Sequence, residues 1–122
     1  MNRRRLSRTR LSDDRGSVTA EFALAFPAVL GVVALLLGGV QVAALQVRAQ
    51  DAAADAARGL GRGDAPATVA ARLDRQVPGA TLAQWVDGDL TCVRVEVAPA
   101  GPVAALGLRA GADSCALRDT AP

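Results

Sequence analysis

The stretch Arg15-Gly16-Ser17-Val18-Thr19-Ala20-Glu21-Phe22 decides how this chain is read, because an arginine-rich head here runs into a long apolar segment. From Phe22 to Leu45 there are 24 residues without a charged side chain, and 13 of them are Phe, Leu or Val. At 1.5 Å of rise per residue a helix of that length spans roughly 36 Å, slightly more than the ~30 Å hydrocarbon layer of a bilayer. It is long enough to cross a membrane with some tilt. Glu21 stands at the mouth of that segment, where a carboxylate is costly enough to be a functional hypothesis by default.

Charge gives the direction of crossing. Residues 1 to 16 carry six Arg (3, 4, 5, 8, 10 and 15) against Asp13 and Asp14, whereas residues 17 to 122 carry eight Arg against ten acids. By the positive-inside rule the Arg cluster holds the N-terminus in the cytoplasm and sends Gln46 to Pro122 across the membrane. Nucleic-acid binding is a poor reading, since the basic run abuts a hydrophobic span and has no interleaved aromatic residues. The chain has no His, its Ser and Cys residues have no obvious base, and no Gly-rich phosphate loop follows a strand. No enzyme, cofactor or metal is therefore predicted, and Asp87-Gly88-Asp89 is read as turn chemistry rather than a calcium site.

With 122 residues the chain forms one small domain beside the span. Residues 1–16 read as a cytoplasmic leader, 17–60 as a helix with its membrane span at 22–45, and 61–122 as an extracytoplasmic head. The helix is expected to outrun the bilayer, because Leu45, Ala49, Ala52, Ala56 and Leu60 recur at helical steps opposite Arg48, Asp51, Asp55 and Arg58. Gly59-Leu60-Gly61-Arg62-Gly63 reads as a flexible joint, and Asp64 as the cap of a second helix. That helix tolerates Pro66 in its first turn, shares Val69, Leu73 and Val77 on one face, and closes at Pro78-Gly79. The period then changes to two. Thr91, Val93, Val95 and Val97 alternate with Cys92, Arg94 and Glu96 as a half-buried strand, and Asp87-Gly88 turns a hairpin from a first strand at about Thr81 to Val86. A last short strand is expected around Ser114 to Arg118. The fold class is α+β: a long N-terminal transmembrane helix extending into a small head with a second helix and a short antiparallel sheet.

Cys92 and Cys115 both fall on the exported side, where an oxidising compartment favours a disulfide closing a loop of 23 residues. Two unpaired buried thiols are the alternative. Within the span, Gly31, Ala34, Gly38 and Gln41 share an arc of about 80° on a helix of 3.6 residues per turn. Small residues there allow close helix approach and Gln41 adds a hydrogen-bonding group, although small residues are scattered through the whole chain. Pro27 either kinks the helix or frees the Ala23 carbonyl. Val103, Leu106 and Leu108, in the Pro/Gly-framed segment Gly101 to Leu108, are a candidate contact with a partner or with the outer face of the membrane. The alternative is that they pack into their own domain.

The string Gly16-Ser17 followed by Glu21-Phe22-Ala23-Leu24-Ala25-Phe26-Pro27 resembles the TadE-like minor pilins, or pseudopilins, of the tight-adherence (Tad/Flp) pilus apparatus. The resemblance is specific over about Arg15 to Leu30 and looser through Arg58. It implies cleavage after Gly16 by a membrane aspartyl prepilin peptidase, with Gly16 and Glu21 as recognition residues and Ser17 as the new N-terminus. A freed Ser17 amine, with a pKa of about 8, is mostly cationic and suited to meet a neighbouring subunit's Glu21. Phe22 stands where the major Flp pilins usually carry Tyr, and the chain is far longer than those subunits, so a minor component is implied. The expected partners are the peptidase, other pilins or pseudopilins and the inner-membrane assembly platform. Two rival readings stay open. Val42-Ala43-Ala44 offers a signal-peptide cleavage site that would release a secreted binding protein or small effector starting at Leu45, although the 24-residue span exceeds the usual 7 to 15 residue signal core. Alternatively the chain is an uncleaved single-pass anchor, with Gly16 a linker residue and Glu21 a snorkelling carboxylate.

Overall fold

The computed structural model describes residues 14–120, with side chains from Gly16 onward; residues 1–13 of the expected leader lie outside the described residues. Two helices precede a three-stranded sheet: α1 (Asp14–Gly61), α2 (Pro66–Gln76), β1 (Thr81–Asp87), β2 (Leu90–Val97), a 3₁₀ helix (Gly101–Leu106) and β3 (Ala110–Leu117). The fold is α+β, as the change of hydrophobic period predicts. α1 begins earlier than the expected start near Ser17 and includes Gly16. The chain divides into two compact units within α1, at Leu36 and Leu37.

In the first unit every residue from Gly16 to Leu36 is exposed, including Phe22, Leu24, Leu30 and Leu35. The helix continues through Pro27. Its missing N–H removes one bond of the ladder without ending the helix, which neighbouring bonds sustain on both sides.

The second unit holds the core. The sheet is antiparallel in the order β1-β2-β3, with Leu82 opposite Val95 and Val95 opposite Ala112. Period-two alternation therefore puts Thr91, Val93, Val95 and Val97 on one face, where all four are buried. Against that face lie Ala49, Ala52, Ala53, Ala56 and Ala57 of α1 and Val69 and Leu73 of α2, with Val77 just beyond. Full burial of a valine such as Val69, Val93 or Val95 contributes about 1.5–3 kcal/mol relative to exposure. Leu45 and Leu60 pack at the margins, completing the stripe predicted along α1.

Three local expectations are corrected. Asp64 does not cap α2: Ala65 occupies that position with no side-chain bond, and Pro66 at the start makes one unsatisfied N–H unnecessary. Asp64 instead meets Arg62 and Arg72, each at 3.6 Å. The expected joint at 59–63 is helical through Gly61, and its first two glycines serve close packing. A Cβ on Gly59 would lie 3.1 Å from Asp64 Oδ2, and one on Gly61 would lie 2.6 Å from the Leu117 carbonyl oxygen. Finally, β3 starts at Ala110 rather than near Ser114, because β2 supplies partners along its whole length. The hairpin forms with its turn one residue on from the expected Asp87-Gly88: Asp87 stays in β1 opposite Leu90, and Gly88 takes a φ of +58°, which suits the first position of the Gly88-Asp89 loop.

Candidate functional site

The residues singled out for processing and assembly fall on consecutive turns of α1. Gly16, Ser17, Glu21, Phe22, Pro27, Gly31 and Ala34 are all exposed, and nothing lies within 4 Å of a Cβ built on Gly16 or Gly31. Phe22 and Phe26, one turn apart, stack with ring centroids 5.9 Å apart. Among the described side chains no ion pair reaches Glu21. The local arrangement is thus a helical surface with an apolar coat, a carboxylate near one end and a glycine without side chain five residues before it.

Gly38 and Gln41 belong to the second unit. Gln41 is exposed, but Gly38 is half-buried, and a Cβ built on it would lie 3.3 Å from Val103 Cγ2. The surface over Gly38 is therefore occupied by the chain's own 3₁₀ helix. That helix is not core: none of its residues is buried, Leu106 is 66% exposed, and Leu108 just beyond it is 47% exposed. Of the three residues named as a contact, only Val103 is half-buried.

Sequence reasoning missed Gln46. Its side-chain amide donates to the Gly111 carbonyl at 2.6 Å and accepts from the Gly111 N–H at 3.2 Å. A side chain here replaces a neighbouring strand, satisfying part of the open edge of β3. A glutamine just beyond an apolar span was the available signal, and it does not by itself name a partner 65 residues away.

Cys92 and Cys115 face each other in the β2–β3 register and form a disulfide. On the same sheet face, Arg94 donates two hydrogen bonds to Asp113, from Nε at 2.7 Å and from Nη2 at 2.6 Å. This fork raises the Arg94 pKa and lowers that of Asp113, in both cases chiefly through the hydrogen bonds. The guanidinium carbon also lies 5.8 Å from the Trp85 ring centroid. An open groove of about 600 Å³ beside this pair is lined by Gln50, Glu96 and Ser114 among others. It assembles no nucleophile with a base, since Ser114 and Asp113 point to opposite faces of β3. Among the described residues no cluster of His, Cys, Asp or Glu is placed to hold a metal ion.

Residues 16–58 match the family described as TadE-like protein. The match opens on Gly16 and closes on Arg58, so it takes in the whole apolar segment and the alanine stripe, while α2 and the sheet lie beyond it. No curated protein and no solved structure matches the chain.

Proposed function

We propose, on the premise that residues 16–58 make this chain a TadE-like protein, that it is a minor pilin or pseudopilin: a structural or assembly component of a Tad-type adhesion pilus or a related secretion filament. The family relation itself points to the Tad pilus and to association with other pilus components. In the proposed arrangement the N-terminus is cytoplasmic, α1 crosses the cell membrane over 22–45 and the head lies outside. The prepilin peptidase removes the leader after Gly16.

The observation that carries the reading is Glu21, an exposed carboxylate at the edge of an uncharged helical segment that is itself exposed from Phe22 to Leu37. A membrane segment retains such a group at a cost of a few kcal/mol. Pairing with the Ser17 amine of a neighbouring copy offsets that cost only on assembly, which makes the charge an assembly device. Exposed Phe22, Phe26, Leu30 and Leu35 supply the apolar surface along which neighbours pack.

Two measurements test this. Mass spectrometry of protein from its native membrane should find an N-terminus at Ser17; a start at Leu45 would establish the signal-peptide reading, and an intact Met1 end the simple anchor. Glu21→Ala should insert and be processed but fail to support pilus formation in a strain lacking the wild-type protein. Normal piliation by that variant would remove the charge-pairing role.

A further inference from the structure

We propose that the segment from Val97 to Leu108 is a second membrane contact, which seats Leu106 and Leu108 in the lipid leaflet nearest the head, beside α1. The inference rests on residues 22–45 being a membrane span. It extends that reading from the helix to the domain behind it.

The placement of Val103 is decisive. Its Cγ2 lies over Gly38, and Gly38 is seven residues before Leu45, the end of the apolar span. At 1.5 Å per residue that is about 10 Å back along the helix from Leu45, toward the middle of the bilayer. A loop resting on α1 at that level cannot lie wholly in water if the helix up to Leu45 lies in lipid. Gly38 makes the close approach possible, since even a methyl group there would press on Val103.

The loop's composition agrees with its position. From Val97 to Leu108 there is no charged residue, while Glu96 and Arg109 stand at its two ends and pair with each other at 3.5 Å. The polar anchors lie on the head side: Gln46 grips Gly111, and Arg48 is the first charge on α1 beyond the span. Pro99 is buried and fixes the start of the loop to the head, whereas Ala104, Ala105, Leu106 and Leu108 are exposed. A water-facing loop gains nothing from two exposed leucines in an uncharged dozen of residues. A loop inserted at the interface buries them in acyl chains, with the Glu96–Arg109 pair left at headgroup level.

The test uses the full chain in phosphatidylcholine nanodiscs at one copy per disc, so that no second copy can cover the loop. Leu106→Trp is made in a Trp85→Phe background, with Leu108→Trp as a second loop reporter and Phe26→Trp as the span reporter. Dibrominated phosphatidylcholine should quench either loop reporter at least about twofold and aqueous iodide should quench it little, with the span reporter quenched by the bromolipid as well. Quenching of the span reporter by the bromolipid with both loop reporters quenched by iodide would overturn the proposal while leaving the span intact. Loop reporters shielded from both quenchers would overturn it in favour of packing on protein. A span reporter that the bromolipid does not reach would overturn the membrane reading beneath it.

Discussion

The two ends of α1 invert the usual relation between side-chain size and burial. Over residues 22–37 the helix carries large apolar groups that are exposed, with Leu24 at 80% and Leu35 at 73%, whereas over 49–57 alanines are buried, with Ala49, Ala53 and Ala57 at 0%. The proposed membrane span accounts for the first half, because a lipid-facing helix needs bulk and apolarity but no fixed partner. Distance explains the second. A helix laid on a β-sheet with a second helix beside it must leave room for valines from β2, and alanine brings the backbone close while retaining high helix propensity. The head is thus a packed domain in which small volume changes matter, and the first unit is a surface on which they should not.

Removing the disulfide should show the largest difference between the two. Cys92 and Cys115 close a 23-residue loop in a domain with a thin core, so Cys92→Ala/Cys115→Ala should cost the head about 3 kcal/mol. Thermal unfolding of the full chain in detergent, followed by Trp85 fluorescence, should move to a clearly lower midpoint. Helical circular dichroism from the apolar end of α1 should persist above that midpoint. An unchanged Trp85 midpoint would mean that the core alone sustains the head.

A size change at a buried alanine is the next test. Ala53→Leu places three extra carbons where the helix meets the core and should destabilise the head by about 1–3 kcal/mol. Leu36→Ala, at a position 66% exposed, should leave the head midpoint unchanged. Equal effects from the two substitutions would erase the distinction between the packed and exposed ends. Gly61→Ala sharpens it further: helix propensity favours alanine by up to about 1 kcal/mol, yet its Cβ would have to displace the Leu117 carbonyl, so the head should lose stability.

These tests bear on what the amino-acid sequence discloses. The alternation of Thr91, Val93, Val95 and Val97 was legible because β-branched residues at period two suit a half-buried strand and little else, and all four are buried. The stripe from Leu45 to Leu60 was legible at its flanks, but Ala53 and Ala57 were not named. In Ala52-Ala53-Ala54-Asp55-Ala56-Ala57 one residue type occupies both faces and offers no contrast. The start of β3 was hidden for a related reason: Ala110, Gly111 and Ala112 have weak strand preferences, and pairing with Val97, Glu96 and Val95 overrides them. Gly59 and Gly61 were misread as flexibility because glycine serves both freedom and close approach, and only the position of Asp64 and Leu117 decides between them. The residues expected to act in processing and assembly were legible as a motif on α1. The chemistry proposed for them lies between molecules, so the fold of one chain adds only their exposure. That Leu106 and Leu108 face outward, and that Val103 lies over Gly38, required the fold.

The smallest expected effect concerns charge. In the second unit Asp113 pairs with Arg94, and Asp55 and Asp64 pair with Arg72, whereas Glu21 at the other end forms no such pair among the described side chains. Hydrogen bonds from Arg94 hold Asp113 below the usual carboxylate range; desolvation opposes the shift and charge attraction adds to it. The folded-state pKa is therefore below the unfolded value of about 3.9. Below that value the unfolded chain takes up the proton first, so the pair's contribution is fully present above pH ~4 and fades as pH falls through the folded pKa. Both partners are about half exposed, which keeps the effect small and sensitive to salt. Asp113→Asn should lower the head midpoint slightly at pH 7 and flatten its decline below pH ~4 relative to wild type. Parallel curves for the two proteins down to about pH 2.5, well below the unfolded carboxylate pKa, would show that this fork contributes no stability to the sheet.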